Sequence, residues 1–237
     1  MLLRIFSTNS LYMGAIFGGL VNSSATVAEM STRVETAGLS RKMTTLCLLT
    51  TIAMFARNLV LVVLFSPASL TATLMPLVAM SLVSTLWIWN DNFKTNQEAH
   101  PTIAIQLDSP IAITKVLWFG LLFVIIQVGG TLLTKVFGGY GMLATGIFGG
   151  LVSSASTTVA AATMASHGKV TASIAGDVAV LSSLASTVIN LPIVWRTVKD
   201  KAVVKNLTIE LITVMVTGIA VVILDRVFEF SDFLLKH

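Results

Sequence analysis

The chain has 237 residues, 55% of them hydrophobic and 11% charged, against about 45–50% and about 25% in an ordinary soluble domain. With a mean hydropathy of +0.89, this composition excludes a soluble enzyme, a disordered tail and a nucleic-acid-binding module, and places the chain in a lipid bilayer. The net charge of +4 is carried in loops between apolar runs, where it suits topology and anionic headgroups rather than nucleic acid.

At about 20 apolar residues per crossing, seven spans are predicted, over residues 11–28, 44–65, 70–89, 111–136, 140–165, 170–194 and 207–228. The first carries Gly14, Gly18, Gly19, Asn22 and Ser23, and runs on to Glu29, Arg33 and Glu35. Glu29 and Arg33 are four apart, the spacing of a surface pair on a solvated helix end. The second holds Arg57 and the lone Cys47, which is expected to be a small hydrophobe. Ser66-Pro67-Ala68-Ser69 is a tight turn into the third, because proline removes a donor and stops the helix. Residues 90–110 are polar and form the longest loop. Gln127, in the fourth span, is expected to bond across to another helix. Gly138-Gly139 punctuates the fourth and fifth spans. Asp177 lies in the sixth, and Arg196, Lys199, Lys201 and Lys205 occupy the loop predicted after it. Seven spans would leave the termini on opposite sides. No His, Cys or carboxylate pair has metal-ligand spacing, and no nucleophile–base set occurs, so no metal, cofactor or enzymatic activity is expected.

An internal repeat is the strongest pattern. Ile16-Phe17-Gly18-Gly19-Leu20-Val21-Asn22-Ser23 recurs as Ile147-Phe148-Gly149-Gly150-Leu151-Val152-Ser153-Ser154, at an offset of 131. One insertion later, Thr26-Val27-Ala28 matches Thr158-Val159-Ala160, and Asn58-Leu59 matches Asn190-Leu191. The chain thus reads as one membrane domain over 1–237, with repeat one over 1–89, a loop over 90–110 and repeat two over 111–228. If every span crosses, the two copies point the same way and form parallel tandem repeats.

Two motifs have both a packing and a functional reading. Gly14, Gly18, Asn22 and Thr26, like Gly146, Gly150, Ser154 and Thr158, recur every four residues and share one helix face. Such a face allows close helix packing, or it supplies oxygens to a desolvated ion or solute along a pathway. Gly18, Gly19, Asn22, Ser23, Gly149, Gly150, Ser153, Ser154 and Thr158 are the candidate residues. Arg57 and Asp177 are charges inside spans, where each should face protein or water and find a partner. They lie on equivalent helices, and read as a structural pair, as separate snorkelling charges, or as a gating or proton-linked pair.

The Gly-Gly-Leu-Val-Ser-Ser-type helices, the span with a central Arg57-Asn58 pair, the proline turn and the Met80-Ser81-Leu82-Val83 span resemble the membrane domain of unknown function numbered 4010. The resemblance covers about residues 11–222. It departs where relatives carry acidic residues in the second block and this chain has Ser153, Ser154, Ser156, Thr157 and Thr158. Such domains commonly follow an MgtC/SapB-like membrane domain, and the plasma (bacterial inner) membrane is the implied location. Residues 2–6 match the end of span four, so the first repeat lacks its first helix. The face of Gly14, Gly18 and Asn22 would then be uncovered, and a second copy or an MgtC-like partner would cover it. The expected architecture is an all-α polytopic transmembrane bundle of about seven spans. The expected function is a small-ion or small-solute transporter or channel, or else a non-transporting regulatory or assembly module.

Overall fold

The computed structural model of the chain describes residues 9–36, 38–95, 121, 124–125, 128–133 and 135–228. Among the described residues there is no strand. The long helices are α1 (Asn9–Thr36), α2 (Met43–Phe65), α3 (Leu70–Thr95), α4 (Gly139–Ser166), α5 (Ala172–Thr197) and α6 (Lys201–Phe228). All six are long and apolar enough to cross a membrane by length and composition, so the chain is an all-α, multi-pass membrane protein. The fourth predicted span, with Gln127, and the rest of the loop up to residue 110 lie outside the described residues, except for Leu121, Val124, Ile125 and a shorter apolar helix, Val128–Phe137.

The helix ends have local causes. Gly38 and Gly168 both adopt a left-handed φ, 69° and 68°. At the first, Leu39 N–H donates to Val34 O and Gly38 N–H to Glu35 O; at the second, Lys169 donates to Met164 O and Gly168 to Ala165 O. These are matching Schellman caps, which glycine enters without a Cβ penalty. The proline turn is a short 3-10 helix, Pro67–Ser69, closed by a Ser66–Ser69 hydroxyl contact of 2.8 Å. Two predicted loops are corrected. α3 continues through Asn90 to Thr95, and only residues 198–200 separate α5 from α6. Polar residues there mark where a helix leaves the hydrocarbon, which need not be where the helix ends.

The chain divides into two compact units. One is built from Met1–Met54, Ser81–Pro110 and Ile189–Val214, and so holds all of α1, the first half of α2 and the C-terminal third of α5. Its core includes Val27, Met30, Leu46, Cys47, Val194, Leu207 and Leu211. Cys47 is fully buried there as the small hydrophobe expected of it. The other is built from Phe55–Met80, Ile111–Val188 and Met215–His237, and holds α4, the second half of α2 and the first two thirds of α5. Its core includes Met142, Ala161, Met164, Ala175 and Val178.

In both units polar side chains are buried beside the apolar core, and large apolar ones face outward. Thr50, Thr51, Asn58, Ser156, Thr157, Thr158, Ser182, Ser183, Thr187 and Asn190 are buried, while Leu64, Leu82, Leu86, Ile219 and Ile223 are exposed. A soluble protein would bury the second set and expose the first. With lipid as solvent, apolar side chains lose nothing outside, and each polar group inside must find a protein partner.

Candidate functional site

α1 and α4 are each interrupted by one residue with extended backbone, Asn22 (φ −154°, ψ 104°) and Ser153 (φ −160°, ψ 105°). The interruptions are 131 residues apart, the offset of the sequence blocks. Each is an N-cap placed inside an apolar run. Asn22 Oδ1 accepts from Ala25 N–H at 3.1 Å, and Ser153 Oγ accepts from Ser156 N–H at 3.3 Å. The side chain satisfies a donor that the new helix would otherwise leave open, which is why Asn and Ser suit the position. Thr26 and Thr157 back-bond to the carbonyls of Asn22 and Ser153. Replacing either cap by Ala should cost about 1 kcal/mol of stability, read as a lower unfolding midpoint in detergent. Ser153→Asn should cost almost nothing, because the other block already uses Asn there.

The chain folds back at each cap. A Cβ on Gly14 would lie 2.9 Å from Met30 Cε, and one on Gly18 would lie 2.5 Å from Thr26 Oγ1. In a straight helix those pairs stand about 24 and 12 Å apart along the axis. At α4, Thr131 Oγ1 of the preceding Val128–Phe137 helix contacts Met164 Sδ at 3.9 Å. A Cβ on the adjacent Gly130 would lie 3.4 Å from Met142 Sδ. A straight α4 would separate those methionines by about 33 Å. Both elements are therefore helical hairpins. Each arm is about 20 Å long, short of the roughly 30 Å hydrocarbon core. This corrects the first and fifth predicted spans, and it removes the ground for seven crossings, for parallel copies and for termini on opposite sides. It also corrects the missing-helix argument. The Gly14–Gly18 face is met by the hairpin's own second arm, and Asn22, though exposed, uses its amide oxygen for capping.

In the unit of α4, the tip meets α2 and α5. Gly150 packs so tightly that a Cβ would lie 2.5 Å from Ser182 Cα and 2.6 Å from its carbonyl oxygen. Thr158 Oγ1 and Ser182 Oγ are 3.3 Å apart. Arg57 Nη2 donates to Ser154 Oγ at 2.9 Å, at the hairpin tip. The Arg57 guanidinium also donates to Asn58 Oδ1 from Nε and Nη2, and Asn58 Nδ2 donates to Ser183 Oγ at 2.8 Å. Asp177 is buried in the same unit at 7% exposure, six residues before Ser183.

In the unit of α1, the counterpart contacts recur with one change. A Cβ on Gly19 would lie 2.6 Å from Thr50 O, and Thr50 Oγ1 donates to Ala15 O. Ser23 Oγ, the counterpart of Ser154, is buried and donates to Met54 Sδ at 3.1 Å. Asn190, the counterpart of Asn58, is fully buried, and neither its Oδ1 nor its Nδ2 has a hydrogen-bond partner. Ile189 stands where Arg57 stands in the other unit.

Of the candidate residues, Ser153, Ser154, Gly150 and Thr158 gather with Arg57 in one unit, Gly149 is buried on the same arm as Gly150, and Gly18, Gly19, Asn22 and Ser23 gather in the other. Asn58, Ser182, Ser183, Thr50 and Asn190 join them, and sequence reasoning did not single these out as site residues. The Asn58/Asn190 match at the repeat offset was their signal. Glu210, 3% exposed, was also missed. It lies three residues inside the predicted span that starts at Leu207. Among the described residues, no group of three His, Cys, Asp or Glu could hold a metal ion.

The family model of the domain of unknown function (DUF4010) matches residues 1–198. No curated protein and no solved structure matches the chain.

Proposed function

Because the chain belongs to the family of the domain of unknown function (DUF4010), whose name carries no activity, its function has to be read from its own residues, and we propose that it is a transporter or channel for a small ion or small solute. The supporting observation is the pair of N-capped hairpins, interrupted at positions 131 residues apart. Breaking a helix in an apolar segment leaves backbone donors and acceptors open. Such backbone is tolerated at membrane depth only where protein buries it or where it lines a water-filled cavity. Interrupted helices of this kind form the solute sites of many secondary transporters, with helix N-termini and freed carbonyls turned to the cargo.

The same pairing supports reading the two units as copies of one ancestral unit. Gly19 on Thr50 and Gly150 on Ser182 are equivalent contacts, and the caps at Asn22 and Ser153 are equivalent breaks. Packing alone would need the glycines, but not the guanidinium and hydroxyls at the α4 tip, where Arg57 bonds Ser154.

Reconstitution into liposomes tests the proposal, with flux screened over monovalent cations, small anions and amino acids. The expected result is protein-dependent flux of at least one of them. Ser154→Ala combined with Thr158→Val keeps the shape of the arm and removes its oxygens, and should lower that flux at least about tenfold at unchanged expression. Absence of flux for every class would return the protein to a regulatory or assembly role. Full flux in the double variant would take the pathway away from this arm.

A further inference from the structure

We propose that the groove at the α5–α6 turn binds the headgroup of an anionic phospholipid of the surrounding bilayer. The groove has a volume of about 780 Å³ and is faced by Trp195, Arg196, Lys199, Lys201 and Lys205. All five side chains are exposed. The turn is held from beneath, because Val194, Val198, Val203 and Leu207 are buried in the core of the unit of α1. That anchoring turns the residues between them outward. Only residues 198–200 separate the two helices, so the cations are placed by two helix ends rather than strung along a long loop.

Three observations favour an anionic lipid. The first is charge. Lys and Arg are ionised at neutral pH, and among the described residues that line the groove none is acidic. Asp200, the carboxylate between them in sequence, caps α6, where its Oδ1 accepts from Ala202 N–H at 2.9 Å. Like charges gathered on one groove repel, and an anion between them offsets that repulsion. Helix stability does not account for their placement, since the first turn of α6 holds Lys201 and no acidic residue, at the end where a cation is unfavourable. The second is position. α5 and α6 are each long and apolar enough to cross a membrane, so the turn that joins them lies at a bilayer surface, the depth of lipid phosphates. An exposed indole such as Trp195 suits that depth. The third is the change of character along α6. Lys201, Lys205, Thr208, Ile209 and Ile212 share one helix face, and Ile209 and Ile212 are exposed. Lys201 and Ile209 stand about 12 Å apart along the axis, so a headgroup at the lysines lays its acyl chain along the isoleucines. A soluble phosphate would use the cations and leave this apolar continuation bare. Basic pockets beside transmembrane helices are a recurrent site for anionic headgroups.

The inference stands apart from the transport reading, and its test involves no flux. The full chain in zwitterionic detergent is titrated with phosphatidylglycerol or with phosphatidylcholine, and bound lipid is counted by native mass spectrometry. Phosphatidylglycerol should bind saturably and at least about tenfold more tightly. Lys201→Gln with Lys205→Gln should weaken its binding about 20-fold, at about fivefold per cation, with no lower unfolding midpoint in lipid-free detergent. Arg196→Gln with Lys199→Gln is a second, independent pair and should show a similar loss. Lys201→Arg with Lys205→Arg should keep the binding. Lys135→Gln with Lys169→Gln removes the same charge at two exposed lysines outside the groove, and should keep it too. Glycerol 3-phosphate, a head without chains, should compete at least about a hundredfold less well than the lipid. Equal binding of the two lipids, full binding in the glutamine pairs, or an equal loss in the Lys135 and Lys169 pair overturns the inference. Equal competition by glycerol 3-phosphate would make the groove a site for a soluble phosphate, and overturns it as well.

Discussion

Gly150→Ala is expected to cost about 3 kcal/mol and to collapse the yield of folded protein, although it adds a single methyl group. The new Cβ would lie 2.5, 2.6 and 2.9 Å from Ser182 Cα, O and C. All three are backbone atoms, so no side chain can swing aside and α4 must part from α5. Parting them also opens the Thr158–Ser182 contact of 3.3 Å, which would leave the Thr158 hydroxyl to be satisfied in an apolar setting. Gly129 is the control, because a Cβ there meets nothing within 4 Å, and Gly129→Ala should leave the unfolding midpoint within about 1 °C. Equal losses at the two positions would show that Gly150 is not held by close approach.

Asn58→Leu and Asn190→Leu should have opposite effects, although the two residues are equivalent in sequence. Asn58 bridges Arg57 and Ser183. Its loss removes an acceptor from a charged, largely buried donor and a donor from a buried hydroxyl, at about 2–3 kcal/mol. Asn190 has no hydrogen-bond partner for either amide atom, so replacing it by an apolar side chain of similar size removes a desolvation penalty and leaves stability unchanged or higher. Thermal unfolding of both variants in detergent reads the difference. A large loss in Asn190→Leu under those conditions would mean that its amide is bonded within the protein.

Much of the class was legible in the residues, because composition and the length of apolar runs report directly on the solvent a chain faces. The glycine and proline punctuation was legible for the same local reason, as at Gly138 (φ 61°) before α4 and at Pro67 before α3. The hairpins were not read, although their signal was present. Asn22 and Ser153 are N-cap residues, each four residues after a Gly of a matched block, but hydropathy averaging counts a run as one span whether it crosses or turns back. The partners of Arg57 were hidden because Ser154 is 97 residues away in the chain, and no local pattern encodes such a contact. Asn190 could be matched to Asn58 by offset. Only the packing shows that one amide is bonded and the other is not.

Cysteine cross-linking across the α1 hairpin is the most direct measurement. In a Cys47→Ala background, Gly14→Cys with Met30→Cys replaces two residues whose side-chain space touches at 2.9 Å, and Met142→Cys with Met164→Cys replaces two members of one core cluster in α4. Mild oxidation in native membranes, followed by alkylation and mass spectrometry, reads whether each pair closes. Folded-back arms predict an intramolecular disulfide for both pairs. Straight, membrane-crossing helices would hold the α1 pair about 24 Å apart and the α4 pair about 33 Å apart, far beyond the roughly 7 Å Cα–Cα limit of a disulfide, and thiols that stay free to alkylation in both pairs would contradict the hairpins.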